Sequence, residues 1–250
     1  MHPFVQDVLE NADSVRKQLV DGEPFSVKSK FKRETDEHEF FLLGTSHCLI
    51  GVLSCCKQLA QIPIYLSNHR QTSTMDKVDI NRHAAIVYHL ENYIIRTQGL
   101  LDRALKLVDA VFHLTNEPRN CRYEVVIRNV KVGISGVPDS IKNLKRLLDR
   151  YSEARGQIVH HGSFDEDPLR RLEFYFLLER WERISPKGTV SKIRDLIQDH
   201  IHEILWFKRK EFLSFNKEVA ESVGQIFDKL APYYAREEKA LRLRLSTSAN

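Results

Sequence analysis

Glycine and proline are scarce in this chain of 250 residues, with 10 Gly and 8 Pro. That scarcity excludes collagen-like and linker-dominated chains, and it argues against an all-β design, which needs a turn signal roughly every 8–12 residues. Cysteine is sparse as well. Cys48, Cys55, Cys56 and Cys121 show no C-x-x-C spacing, so they are expected to be reduced core thiols of a cytosolic protein. Neither Gly-rich phosphate loop, G-x-x-x-x-G-K-S/T or G-x-G-x-x-G, is present, which removes the usual nucleotide-hydrolase and dinucleotide readings, and H-E-x-x-H is missing too. The opening residues MHPFVQDVLENADSV lack the basic, apolar and small-residue regions of a signal peptide. The long uncharged run, Phe40 to Cys56, contains Gly44, Thr45, Ser46, His47 and Ser54, so a buried helix is expected there and no membrane span. Charge of one sign is not in excess: 38 Lys+Arg stand against 34 Asp+Glu, a net +4. An anionic partner must therefore be met by local patches.

What is present is apolar and aromatic. Hydrophobic residues make up 42% of the chain, with 13 Phe and 8 Tyr, enough for a packed core and too many for a disordered scaffold. Phe4, Val5, Val8, Leu9, Ala12, Val15 and Leu19 recur at three and four, as on one face of a helix. Helix is predicted over 36–66 with a break near Pro63, and over 79–114 with Ile86, Leu90, Tyr93, Ile94, Leu101, Leu105, Val108 and Phe112 inward. Residues 67–78 read as a loop. Between 115 and 137 the β-branched and aromatic residues Tyr123, Val125, Val126, Ile127, Val130 and Val132 allow either a short β-hairpin or an irregular insertion. Helix resumes at Pro138-Asp139-Ser140, runs to a stop at Gly162, returns over 166–184, and covers 189–245 with interruptions near Gly224 and Pro232. The expected fold is an all-α antiparallel bundle. Residues 1–78 form an N-terminal helical flank, 79–185 the core, and 186–250 a C-terminal extension packed on the same bundle.

The chemistry concentrates in Tyr151-Ser-Glu-Ala-Arg155-Gly-Gln-Ile-Val-His160-His161-Gly162. An Arg fork donates to two phosphate oxygens and stays charged, and a His moves protons near neutral pH. Together they are a minimal set for transferring a phosphate ester. Five positions on an ideal helix are about 140° of rotation, so one helix aims both side chains at one point only if it distorts or a second subunit completes the site. Gly156 marks a place for close backbone approach or a bend. The pairs His160-His161 and His200-x-His202 lack the three- or four-residue spacing of helical metal ligands, and no metal is expected.

The R-x4-H string at a helix end, after a long helix bearing Glu91, Asn92 and Arg96, resembles the HEPN superfamily (higher eukaryotes and prokaryotes nucleotide-binding domains). The longer segments Glu91-Asn-Tyr-Ile-Ile-Arg-Thr-Gln, Leu107-Val-Asp-Ala-Val-Phe-His-Leu, Pro118-Arg-Asn-Cys-Arg and Arg155 to His161 are similar to one bacterial branch of it, over residues 80–185. The resemblance implies a four- or five-helix bundle that dimerises around a composite cleft. It also implies a metal-independent endoribonuclease without a cofactor, of toxin, antitoxin-paired or antiviral systems, cleaving by attack of the ribose 2′-hydroxyl. On this chain Arg155 would hold the scissile phosphate and His160 would move the proton. His161 would orient its neighbour or touch RNA, with Glu91 and Asn92 in support; by its place on the preceding helix, Glu91 either binds Arg155 and tunes its position or forms a plain surface pair. The chain departs from the family at Gly156, where Asn, Asp or His often follows the arginine, and at Gly162, where one subset carries Tyr. The alternative is an inactive HEPN module for RNA binding or dimerisation. Arg119, Arg122, Arg128 and Lys131 are candidates to track an RNA backbone, tRNA or mRNA, and Arg33 with Lys28, Lys30 and Lys32 forms a second basic stretch. Tyr233-Tyr234 and Trp206-Phe207 read as core or dimer contacts.

Overall fold

The computed structural model describes residues 1–21, 30–31, 33–67, 75, 77–78, 80–117, 119–184 and 190–248. The first helix, α1 (Pro3–Leu19), starts with Pro at its first turn, where a missing N–H costs nothing, and the His2 ring accepts the Phe4 N–H at 3.2 Å. Its buried face is Phe4, Val5, Val8, Ala12, Val15 and Leu19, the face predicted. Val20 then pairs with Phe31 in a minimal antiparallel contact between β1 (Val20–Asp21) and β2 (Lys30–Phe31).

Helix α2 (Glu37–Ser67) is opened by a reciprocal cap: Asp36 Oδ1 accepts the Glu39 N–H at 2.8 Å, and the Glu39 carboxylate accepts the Asp36 N–H at 3.1 Å. The expected break at Pro63 does not occur. A proline inside a helix costs about 3 kcal/mol. Burial of Leu59, Ile62 and Leu66 around it, with the Ser67 hydroxyl donating to the Pro63 carbonyl at 2.6 Å, keeps the last turn closed. By length and composition α2 is the one helix among the described residues that could cross a membrane; Phe41, Leu42, Leu49, Val52 and Cys55 of the uncharged run are buried within the chain.

Helix α3 (Arg82–Val111) is capped by Asn81, whose side chain accepts the Ala84 N–H at 2.8 Å. In the following segment the hairpin alternative does not form. Tyr123–Ile127 (α4) and Val130–Gly133 (α5) are short helices. Local turns satisfy the backbone there, with the Gly133 N–H on the Asn129 carbonyl at 2.7 Å, and still bury Val126 and Val132 completely. A lone strand pair has no third strand to do so. Then come α6 (Val137–Leu148), a 3-10 turn (Asp149–Tyr151), α7 (Ser152–His161), α8 (Asp167–Ile184) and α9 (Val190–Ser248). The interruptions expected near Gly224 and Pro232 are absent. Buried Val223, Ile226, Phe227, Leu230 and Tyr234 hold both weak points in helical register.

Two compact units divide the chain: residues 1–55, 99–147 and 219–250 form one, 56–98 and 148–218 the other, so α2, α3 and α9 each contribute to both. The first packs Phe4 against Phe227 and stacks Phe41 on Tyr234, with ring centroids 5.5 and 5.6 Å apart. In the second, Tyr93 stacks on Phe212 at 3.6 Å and Tyr151 stands edge-on to Phe215 at 4.9 Å. This second unit carries the Arg155–His160 segment.

Candidate functional site

Helix α7 is held at both ends. Before it, the Tyr151 hydroxyl donates to Glu211 at 2.5 Å; burial first, and that bond second, push the phenol above its ordinary pKa. Within it, Ile158 is buried. After it, Gly162 takes a left-handed conformation at φ 84°, its N–H on the Ile158 carbonyl at 3.2 Å, the stop that glycine permits without penalty.

Arg155, His160 and His161 are exposed on this regular helix. Among the described residues none of the three makes a hydrogen bond or ion pair. An undistorted helix keeps Arg155 and His160 about 140° apart, so a single α7 does not converge them. Gly156 lies inside the continuous helix, and within the chain no heavy atom lies within 4 Å of where a Cβ would stand.

The Glu91 carboxylate does not hold Arg155. It accepts the Phe164 backbone N–H at 2.8 Å and fixes the loop leaving α7. Asn92 donates to the Tyr88 carbonyl at 3.0 Å within its own helix, and Arg96 bonds Gln58 at 2.5 Å. Residues that the sequence did not single out complete the clamp. Lys208 pairs with Glu166 at 2.9 Å and Glu211 at 3.2 Å and lies 5.6 Å over the Phe164 ring. Glu211 thus serves both ends of α7. In sequence Lys208 and Glu211 are an ordinary i,i+3 pair, and nothing sets them apart. Gln157 is a further surprise, its Oε1 buried without a partner among the described residues.

The basic candidates lie in the first unit. Arg119 pairs with Glu117 at 2.6 Å and Arg128 with Glu124 at 2.9 Å, Arg122 donates to the Arg119 carbonyl at 3.3 Å, and the Lys131 ammonium has no partner among the described residues. Adjacent carboxylates therefore offset two of the four charges. In the other basic stretch, Arg33 is bound by Glu39 at 2.6 Å; Lys28 and Lys32, with the Lys30 side chain, lie outside the described residues. His200 meets the Pro168 carbonyl at 3.1 Å and Glu203 at 3.6 Å. Among the described residues no group of three or more His, Cys, Asp or Glu is placed to hold a metal ion. Tyr234 is buried, whereas Trp206 and Phe207 are exposed.

Helix α8 (Asp167–Ile184) buries Leu169 and Leu172 in its first turns but presents apolar side chains to solvent farther along. Phe174, Leu177, Leu178 and Trp181 are 56, 58, 36 and 66% exposed, while Glu179 and Glu182 are buried, Glu179 paired with Arg194 at 2.9 Å. Spacing of i, i+3, i+4 and i+7 makes one apolar stripe.

The family model for Cthe2314-like HEPN domains matches residues 49–231 of this chain. No curated protein and no solved structure matches it.

Proposed function

The chain belongs to the Cthe2314-like HEPN family, and from that membership we propose that it is a metal-independent endoribonuclease whose active site is assembled by two copies. The observation that carries the reading is the state of α7: an arginine and a histidine, exposed, unpartnered among the described residues, and rigidly mounted. A surface arginine in a chain with 34 carboxylates ordinarily finds one of them. Arg155 is left with five free donors, and a phosphate takes two in a fork.

Because one α7 does not aim Arg155 and His160 at one point, a two-fold pair of chains supplies the complement, each Arg155 facing the other copy's His160. The apolar stripe of α8 supports that assembly as the face buried between the copies. At the composite site Arg155 neutralises the non-bridging oxygens. His160 takes the proton of the ribose 2′-hydroxyl, whose oxygen bonds to the adjacent phosphorus. The bond from phosphorus to the 5′-oxygen breaks, and that oxygen receives a proton from solvent water while the His160 imidazolium returns to water the proton it took. The products are a 2′,3′-cyclic phosphate and a 5′-hydroxyl. Nucleophile and phosphate lie on one strand, so no metal-bound water is required. His161 contacts RNA beside its neighbour, and Lys131 and Arg122, with Arg119 and Arg128, add backbone contacts. The biological setting is a cytoplasmic toxin or antiviral effector acting on tRNA or mRNA and held in check by an antitoxin or defence-system protein.

The test is cleavage of tRNA and total RNA by the purified chain in EDTA. Wild type cleaves, while Arg155→Ala and His160→Ala, folded by circular dichroism, do not. A folded dimer that binds RNA and cleaves none of it is instead an inactive RNA-binding HEPN module, a reading that Gly156 in place of a polar residue and the modest net charge favour. Cleavage abolished by EDTA sinks the metal-free chemistry.

A further inference from the structure

A cavity of about 430 Å³ opens in the first unit, the one without Arg155. That volume falls in the range of small-molecule sites, and three features of its wall mark it as built rather than left over.

The first is backbone strain. His113 and Thr115, both on the wall, hold φ of 48° and 56°. A left-handed conformation is costly for any residue with a Cβ and most of all for a β-branched one, and such residues collect at ligand clamps. The bends close the chain back on α3. Leu114 N–H bonds the Asp109 carbonyl at 3.0 Å, and the Asn116 amide reaches the Asp109 carboxylate at 2.5 Å.

The second is Thr45. It is 0% exposed and lies on the wall, yet its hydroxyl has no hydrogen-bond partner among the described residues. A buried helical threonine normally bonds back to the carbonyl a turn earlier, and an unmet buried hydroxyl calls for an explanation.

The third is Asp109. Its carboxyl is half-buried, burial pushes it above the ordinary carboxylate range, and it accepts a hydrogen bond from the Asn116 amide. No Lys, Arg or His among the described residues pairs with it. Lys106, one turn earlier, also lines the cavity, exposed, and forms no ion pair with Asp109. An acceptor on a largely apolar wall that no cation pairs with selects a ligand nitrogen that brings donors or positive charge. The lining is small at Ala110 and at Gly44, where no atom lies within 4 Å of an added Cβ. Phe40, 60% exposed, stands at the wall with Phe41. Cys48 and Cys121 also face the space. Burial pushes both thiols up, Cys121 to about 11, so they are protonated apolar wall and not nucleophiles.

We propose that this cavity binds a small flat aromatic molecule bearing an amino or amidino group, with the nitrogen on Asp109, the ring over Gly44 and Ala110, and a polar substituent completing Thr45. The site is independent of the ribonuclease reading.

Benzamidine is the probe, with benzamide as its uncharged isostere, titrated into the full-length chain by calorimetry and by amide chemical shifts. Benzamidine is expected to saturate one site with a Kd on the order of a millimolar, as befits a fragment, with shifts in residues 40–48 and 106–121. Benzamide is expected to bind at least tenfold more weakly. Asp109→Asn should cost tenfold or more, Thr45→Val a few-fold, and Gly44→Leu, which fills the open space there, should abolish binding. Arg155→Ala should bind as wild type does. Equal affinity for benzamide and benzamidine, saturation that survives Gly44→Leu in a folded protein, or shifts lying elsewhere would each overturn the proposal. Gly44→Leu decides the matter even if Asp109→Asn does not fold.

Discussion

Glu91 on α3 accepts the backbone N–H of Phe164 at 2.8 Å, so this carboxylate grips the loop behind α7 and leaves Arg155 free. Phe164 is buried, and a buried N–H deprived of its acceptor costs about 1–3 kcal/mol. Glu91→Ala should therefore lower stability by that amount in urea melts and slow RNA cleavage by loosening the His160 end of the helix. Glu91→Gln keeps a carbonyl acceptor and should lose less than about 1 kcal/mol. Equal loss in the two variants would mean that the charge, and not the bond to Phe164, matters.

Gly156 separates the needs of the single chain from those of the pair. Open space surrounds the position of an added Cβ, and alanine outranks glycine in a helix interior by about 1 kcal/mol. Gly156→Ala is expected to raise the stability of the chain by somewhat less than that. If activity falls while stability rises, the second copy or the RNA approaches the bare backbone at this point. If both rise, glycine is a relic of no mechanical value.

Much of this was legible in the sequence. The three-and-four spacing from Phe4 to Leu19 gave the buried face of α1, and Gly162 gave the end of α7, because both are local patterns with local causes. The continuity of α2 through Pro63 and of α9 through Pro232 was not legible, since it depends on which distant residues bury Ile62, Leu66, Leu230 and Tyr234. Val126 and Val132 favour strands by propensity, yet they are buried from short helices. The partner of Glu91 is tertiary information of the same kind. Helix α8 scatters charged residues among its aromatic and aliphatic ones without one clear apolar face, so nothing in its spacing told that Glu179 would face inward and Trp181 outward.

That inversion leads to a direct test of assembly. Trp181 is 66% exposed at one end of the stripe from Phe174, and a charge placed there disturbs little in a lone chain, within about 0.5 kcal/mol. Trp181→Glu should convert the protein to monomer in light scattering, keep its helical circular dichroism, and lose RNA cleavage. A persisting dimer would place the interface elsewhere.

Glu39 contributes to the pH dependence of stability. The Arg33 guanidinium, hydrogen-bonded at 2.6 Å, holds the buried Glu39 carboxylate below its ordinary pKa, and the Asp36 N–H adds to this. A carboxylate with a depressed folded pKa contributes stability above the unfolded pKa and loses it as pH falls through the folded one. Wild type should thus be more stable than Glu39→Gln at neutral pH, and the difference in urea midpoint should close as acid protonates Glu39. A difference that is constant with pH would assign the effect to packing.

The sharpest consequence of α7 concerns which chain supplies which group. Arg155 and His160 stand about 140° apart and about 7.5 Å along one regular helix, so a phosphate bound by Arg155 is out of line for the same chain's His160. If the two groups that act on one phosphate come from opposite copies, Arg155→Ala and His160→Ala chains are each inactive alone but complementary when paired. A mixed dimer then keeps one intact Arg155 and one intact His160 facing each other. Each mixed dimer has one of its two composite sites intact, so the isolated doubly tagged species is expected to recover up to about half of wild-type cleavage. Co-expressing the two variants under different tags and isolating the doubly tagged species measures it. Mixed dimers as inactive as their parents would require Arg155 and His160 of one chain to act together, and α7 would then have to unwind on binding RNA.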